Sequence, residues 1–194
     1  MIKKVFLTLF SLFLTYRAFE ILKLLGSASA DEFGWKSILA LSIILNVFIT
    51  GIFAFLGFAF KTSKVLPSSY YQIKNPKRLK LIYRILGLKY FKWFLLKVFW
   101  GKEKNRKRYF NGGKSGLENF DMQTRQSEFG HLAALVAVSI ASIYSLLMGH
   151  QLIFIISTAI NILGNLYPII LQRVHRIQIE RLTAIVDRKQ NKKV

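Results

Sequence analysis

The sequence predicts an all-α integral membrane protein, with about four transmembrane helices and amphipathic interfacial helices on the cytoplasmic side. Three observations predict it. Hydrophobic residues make up 53% of the 194 residues, yet they sit in blocks rather than spread along amphipathic elements. Segment 37–60 carries no charge, and at ~1.5 Å per residue it can cross a hydrocarbon core of ~30 Å. Lys and Arg outnumber Asp and Glu by 29 to 9 and collect in alternate intervals between the blocks, the pattern of membrane topology. Intrinsic disorder, which needs low hydrophobicity, is excluded.

Taken in order, the spans are 5–25, 37–60, 132–148 and 152–171 within a single membrane domain, 1–194. The first opens on an uncharged run and then carries Arg17, Glu20 and Lys23. Ala28-Ser29-Ala30 resembles a signal-peptide cleavage site, but it lies too far beyond the apolar run, so the segment is kept as a helix. Arg17 and Glu20, three residues apart, are expected to pair with each other. The third and fourth spans are separated only by 148–151, so they form a tight helical hairpin, with His150 a turn residue of no assigned role.

Orientation follows from the basic residues. Lys3 and Lys4 precede the first span, seventeen Lys or Arg lie in 61–125 and seven follow Gln172, whereas the first-to-second interval holds only Lys36 and the hairpin turn none. By the positive-inside rule both termini and the segment 61–129 are expected to be cytoplasmic in a multi-pass protein, with a basic tail at 172–194.

Segment 75–100 divides at Gly87 into two short amphipathic stretches. Lys77, Lys80 and Arg84 share one face of the first, and Lys89, Lys92 and Lys97 one arc of the second, among Leu, Ile, Phe, Tyr and Trp. Cations opposite aromatics describe helices lying in the lipid headgroup layer. No nucleic-acid-binding fold surrounds them, so membrane lipid, not nucleic acid, is the expected partner. Gly112-Gly113-Lys114-Ser115 has Arg108 where a phosphate loop needs its first Gly and follows no strand, so that motif is rejected.

Cysteine is absent, which excludes disulfides, thiolate metal sites and a Cys nucleophile. Three scattered His make no metal set. Chemistry must therefore rest on polar residues placed where a membrane makes them expensive. Asn161, Asn165, Pro168, Gln172 and His175/Arg176 fall on one face of the fourth span, and Pro168 disturbs the bond to the carbonyl of Gly164. Thr124, Glu128 and His131 share a face at the start of the third. Counted from His150, Glu128 and His131 reach the depth of Gln172, Arg173 and Arg176 to within about one turn, ~5 Å. These groups are expected to meet at the cytoplasmic edge of the bilayer, as a reaction site or as a structural network.

Thr124-Arg125-x-x-Glu128-x-x-His131, followed by Asn165-x-Tyr167-Pro168-x-x-x-Gln172-Arg173-x-x-Arg176, resembles the glycosyl-4,4′-diaponeurosporenoate acyltransferase family. The aromatic-basic run from Leu88-Lys89-Tyr90 to Phe110-Asn111-Gly112 fits as well, and the resemblance covers roughly 61–181. His175 and Ile177 depart from the family pattern, which tends to have Asn and Pro there. The resemblance implies a small protein of the bacterial cytoplasmic membrane that esterifies a fatty acyl chain onto the sugar hydroxyl of a glycosylated carotenoid or related glycolipid. It also implies a thioester donor, acyl coenzyme A or acyl carrier protein, and no cofactor. On that reading His131 is the general base and Glu128 its orienting carboxylate. Arg173 and Arg176 receive the donor. Thr124, Asn165 and Gln172 bind substrate. His175 and Glu180 approximate the His-x-x-x-x-Asp motif of soluble acyltransferases, but their spacing separates them on a helix and the match is read as coincidence. The rival reading is a non-catalytic scaffold for lipid or isoprenoid biosynthesis.

Overall fold

A computed structural model describes residues 1–97 and 113–191. Among them every regular element is helical: α1 (Ile2–Ser27), α2 (Trp35–Ala59), α3 (Ser68–Tyr71), α4 (Pro76–Ile85), α5 (Leu88–Leu95), α6 (Gly113–Leu147), α7 (Gln151–Asn161) and α8 (Tyr167–Asn191). Short 3₁₀ turns cover Ala30–Glu32 and Thr62–Lys64, and a π-helical turn, Ile162–Leu166, joins α7 to α8. Four helical stretches are long and apolar enough to cross a membrane: Ile2–Ser27, Trp35–Ala59, Ser115–Leu147 and Gln151–Arg188.

Two of these outrun the apolar blocks. The sequence reading begins its third span at residue 132, whereas α6 is already helical from Gly113. Likewise α8 carries helix through the stretch read as a basic tail. The polar composition of 113–131 and 172–188 hides the apolar periodicity there, while neither stretch contains a proline to stop the helix. The phosphate-loop-like stretch and the run to Gly112 fall largely outside the described residues.

The chain divides into two compact units, Met1–Thr62 with Phe129–Pro168, and Ser63–Glu128 with Ile169–Val194. In the first, α1, α2, the later part of α6 and α7 pack around Ala18, Ile21, Leu25, Leu45, Ile49, Val138, Ala141 and Ile153. Small residues bring these helices close, as they do between membrane helices generally. A Cβ on Gly51 would stand 2.7 Å from Leu14 Cδ1, and Ser11 donates to the carbonyl of Ile52 at 3.2 Å. Phe13, Phe19, Val47, Ile140 and Leu147 point outward as an apolar surface that lipid, not water, would satisfy. Arg17 pairs with Glu20 in α1.

The hairpin turns at Gly149, whose φ of 90° suits glycine. His150 beside it is buried, 3% exposed. Its Nε2 lies 2.8 Å from the carbonyl of Leu25 and its ring 5.5 Å from that of Phe33. The residue left without a role by the sequence ties the hairpin to the end of α1.

In the second unit, α4 begins at a sound N-terminus. Asn75 accepts from the amide of Arg78 at 3.0 Å, and Pro76 fills the first helical position. Gly87, at φ 63°, separates α4 from α5 as the sequence reading expects. α4 buries none of its side chains and α5 only Leu88.

Candidate functional site

Each unit holds a cluster of buried polar groups among the described residues. In the second unit Glu128 is completely buried. One of its oxygens accepts from Arg173 Nε at 2.7 Å, and the other accepts from Arg176 Nη2. Arg176 is itself only 2% exposed, and its Nη1 lies 3.5 Å from Thr124 Oγ1. Gln172 donates to Ser127 Oγ at 3.2 Å. A buried carboxylate is tolerable only when paired and hydrogen-bonded, and two guanidiniums meet that need. Register explains the meeting: Thr124 and Glu128 are four apart on α6, Arg173 and Arg176 three apart on α8, so each pair shares a face.

Two tyrosines of α3 complete this cluster. The Arg173 guanidinium sits 4.9 Å from the Tyr70 ring centre. Tyr71 lies between Arg125 and Arg176, at 5.3 and 5.2 Å, and its hydroxyl donates to the carbonyl of Arg125 at 3.4 Å. Such cation–π contacts strengthen once desolvated. Burial, and then the charge of Glu128, push both phenols above their ordinary value of 10.0. The sequence reading missed both tyrosines. Its only available signal was an aromatic doublet just after Pro67, since a helix of one turn shows no periodicity.

In the first unit a chain of side chains starts at His131. Its Nδ1 lies 3.0 Å from Asn165 Oδ1. Asn165 Nδ2 donates to Thr50 Oγ1 at 3.1 Å and to Asn161 Oδ1 at 2.9 Å. Asn161 Nδ2 donates in turn to the carbonyl of Leu135 at 3.0 Å and to Ser139 Oγ at 3.2 Å. Both asparagines are buried. Gly164 lies in the π-helical turn, four residues before Pro168, which has no amide to offer its carbonyl.

The direction of every bond in this chain is determined. A backbone carbonyl only accepts, so the Asn161 group facing Leu135 is its amide nitrogen. Asn161 therefore turns its oxygen to Asn165, and Asn165 answers with nitrogen. That leaves the Asn165 oxygen facing His131, whose Nδ1 must carry the hydrogen.

These contacts redistribute the expected partners. Asn165, expected among the substrate-binding residues, is the residue bonded to the imidazole. Glu128, expected as the carboxylate orienting His131, has both oxygens on guanidiniums. Arg173 and Arg176, expected to await a donor, are held by Glu128, although Arg173 keeps a third of its side chain exposed. Thr124 contacts Arg176 and donates to its own helix at Asp121, 2.7 Å away.

Four helices long and apolar enough to cross a membrane, with buried polar groups on α6, α7 and α8, define a helical membrane protein. Residues 67–185 match the family described as glycosyl-4,4′-diaponeurosporenoate acyltransferase. The match spans more than half of the chain, and the chain belongs to this family, whose name is that of an acyltransferase of carotenoid biosynthesis. It takes in α3, both polar clusters except Thr50, and most of α8. No curated protein and no solved structure matches the chain.

Proposed function

We propose that the protein is a membrane O-acyltransferase that moves a fatty acyl group from a thioester donor to a sugar hydroxyl of a glycosylated carotenoid or related glycolipid. Family membership supports the class of reaction. The observation that carries the chemistry is the bond between His131 and Asn165. A neutral imidazole that donates through Nδ1 keeps its lone pair on Nε2, and a basic nitrogen of this kind takes a proton from a hydroxyl. As the hydroxyl oxygen attacks the thioester carbonyl, the new C–O bond forms and the C–S bond breaks. The proton passes to His131 Nε2 and then to the departing thiolate. With no cysteine in the chain, transfer needs no thioester-linked enzyme. The distribution of Lys and Arg supports a multi-pass protein of the bacterial cytoplasmic membrane with both termini inside.

The experiment is lipid extraction and mass spectrometry from cells with and without the gene, and from cells expressing His131→Ala. The acylated glycolipid should appear only with the intact gene. In His131→Ala its rate of formation should fall ~10²–10⁴-fold, the range general-base catalysis supplies, while the protein still accumulates in the membrane. Full activity in that variant removes the base. An unchanged lipid profile on deletion, with partner proteins co-purifying, favours the scaffold reading.

A further inference from the structure

In the first unit, buried polar side chains continue past the His131–Asn165–Asn161 chain into the middle of the helices. Ser42 and Asn46 on α2, Ser142 on α6 and Ser157 on α7 are each at most 3% exposed. Two contacts show how α2 and α7 align. Thr50 meets Asn165, 115 positions later, and Phe33 meets His150 at nearly the same interval. The two helices therefore run parallel, with Ser42 level with Ser157, and Asn46 one turn further along, level with Asn161. Across the hairpin, which closes at Gly149, Asn161 reaches Leu135 and Ser139. Ser142 thus comes level with Ser157 to within about one turn, ~5 Å. Leu45, Ala141 and Ile153, on the same three helices, pack in one cluster.

Three oxygens in this layer have no hydrogen-bond partner: Asn46 Oδ1, Ser142 Oγ and Ser157 Oγ. The Asn46 nitrogen donates to the backbone carbonyl of Ser42 at 2.9 Å, so the group left over is an acceptor. The two serines depart from the habit of this chain. Ser42, Ser139 and Ser145 turn their hydroxyls onto the carbonyl four residues back, at 2.7–2.9 Å, whereas Ser142 and Ser157 do not. A buried polar atom without a partner is uncommon in folded proteins, and inside a bilayer no bulk water relieves it. Three such atoms from three helices at one depth point to a shared partner.

The bonds required define that partner. Asn46 needs a donor and the two hydroxyls need an acceptor. Water is both, and a buried water typically makes ~3 hydrogen bonds to such groups. An alkali cation would accept nothing from the hydroxyls, and neither α2 nor segment 129–168 holds a carboxylate to balance its charge.

We propose that a water molecule is bound between α2, α6 and α7, donating to Asn46 Oδ1 and accepting from the hydroxyls of Ser142 and Ser157. It pins α2 to the hairpin between the Phe33–His150 contact and the Thr50–Asn165 bond, and so steadies the helix from which Thr50 joins the His131 chain. The site is independent of the acyl-transfer reading.

The test uses the full ¹⁵N-labelled chain in lipid nanodiscs. Magnetisation transferred from water should reach the side-chain amide of Asn46. Ser142→Ala with Ser157→Ala should abolish that transfer, while Thr8→Ala, which removes an exposed hydroxyl of α1, leaves it unchanged. Each serine substitution alone should lower the thermal midpoint by about 2–4 °C, and the pair should lower it by less than the two losses together, because both hydroxyls serve one water. Should the double variant not accumulate, Ser142→Ala alone should weaken the transfer and lower the midpoint. No transfer to Asn46 in the folded parent, transfer insensitive to the serines, or additive losses overturns the proposal. A midpoint that rises with sodium chloride but not with choline chloride assigns a cation to the layer and overturns it as well.

Discussion

Asn165 turns its carbonyl oxygen, not its amide nitrogen, toward the imidazole of His131, 3.0 Å away. The choice is made at Leu135, whose backbone carbonyl accepts from Asn161 and so sets the direction of the whole chain. A backbone oxygen thereby selects a histidine tautomer through two intervening side chains. Such an arrangement holds a ring in one orientation without placing a charge beside it, which suits the interior of a helical membrane protein.

Removing the amide next to the ring tests this. Asn165→Leu deletes the acceptor for Nδ1–H and frees the ring to rotate or change tautomer. On the proposed mechanism kcat should fall ~10-fold to 10²-fold, less than the ~10²–10⁴-fold that a general base as a whole supplies, with less change in KM. Asn161→Leu acts one step further away and should produce a smaller fall in the same direction. ¹⁵N shifts of the His131 ring distinguish the explanations. They should report protonated Nδ1 in the parent and a mixture of tautomers in Asn165→Leu. If the parent ring carries its hydrogen on Nε2, the assigned base is wrong.

Glu128 makes a different prediction, about stability. Its removal leaves Arg176 buried with its principal counter-charge gone. Losing one member of a buried pair typically costs about 3–5 kcal/mol. Glu128→Ala should therefore lower the thermal midpoint sharply in detergent or prevent accumulation, whatever the assay for activity shows. Arg173 retains an exposed third and can turn toward water, so Arg176 is the residue that suffers. Replacing both partners, Glu128→Leu with Arg176→Met, should recover much of the loss, and a double-variant cycle of unfolding midpoints measures how much.

That pair was also the most legible part of the site. Two antiparallel helices of equal rise joined by a turn at Gly149 must bring Glu128 near Gln172–Arg176, and counting residues is enough to show it. Other features depend on contacts that counting does not reach. The asparagine chain follows from which group faces Leu135, a matter of side-chain orientation. His150 looks like a turn residue until its ring meets Leu25 and Phe33, over a hundred positions earlier. Tyr70 and Tyr71 enter through a helix of four residues. The early start of α6 was hidden because polar residues at 113–131 satisfy a buried polar cluster and so carry no apolar period.

The two tyrosines give a pH dependence. Their phenols are pushed above 10.0 by burial, with the Glu128 charge adding to it. In the folded state they hold their protons at a pH where the unfolded chain has begun to release them. Stability is then unaffected below pH 10 and declines as pH rises above it, because the unfolded chain binds fewer protons. Ultraviolet titration should find the Tyr70 and Tyr71 phenols ionising above 10.0, in a transition that coincides with unfolding. Tyr70→Phe with Tyr71→Phe should remove two phenols from that step. Two early-titrating phenols at these positions would show that the arginines, which act in the opposite direction, outweigh burial.

α4 and α5 carry the last prediction, which concerns the lipid surface. Ile85 is 72% exposed, Tyr90 77%, Trp93 61% and Phe94 52%, while Lys77, Lys80, Lys89 and Lys92 lie on the same short helices. The Lys97 ammonium sits 5.1 Å from the Trp93 ring centre, a cation held beside an aromatic as at a headgroup boundary. Apolar side chains exposed this fully are costly in water and favourable at the edge of the acyl layer. In bilayers containing brominated lipids Trp93 should be quenched most by labels just below the headgroups, and subtracting the signal of Trp93→Phe isolates it from the other tryptophans. Each lysine near an anionic leaflet contributes ~1 kcal/mol. Replacing Lys77, Lys80, Lys89 and Lys92 with Gln should therefore reduce Trp93 quenching in anionic bilayers and leave neutral ones nearly unchanged. Quenching that is absent in the parent, or insensitive to lipid charge, would place these helices away from the membrane surface.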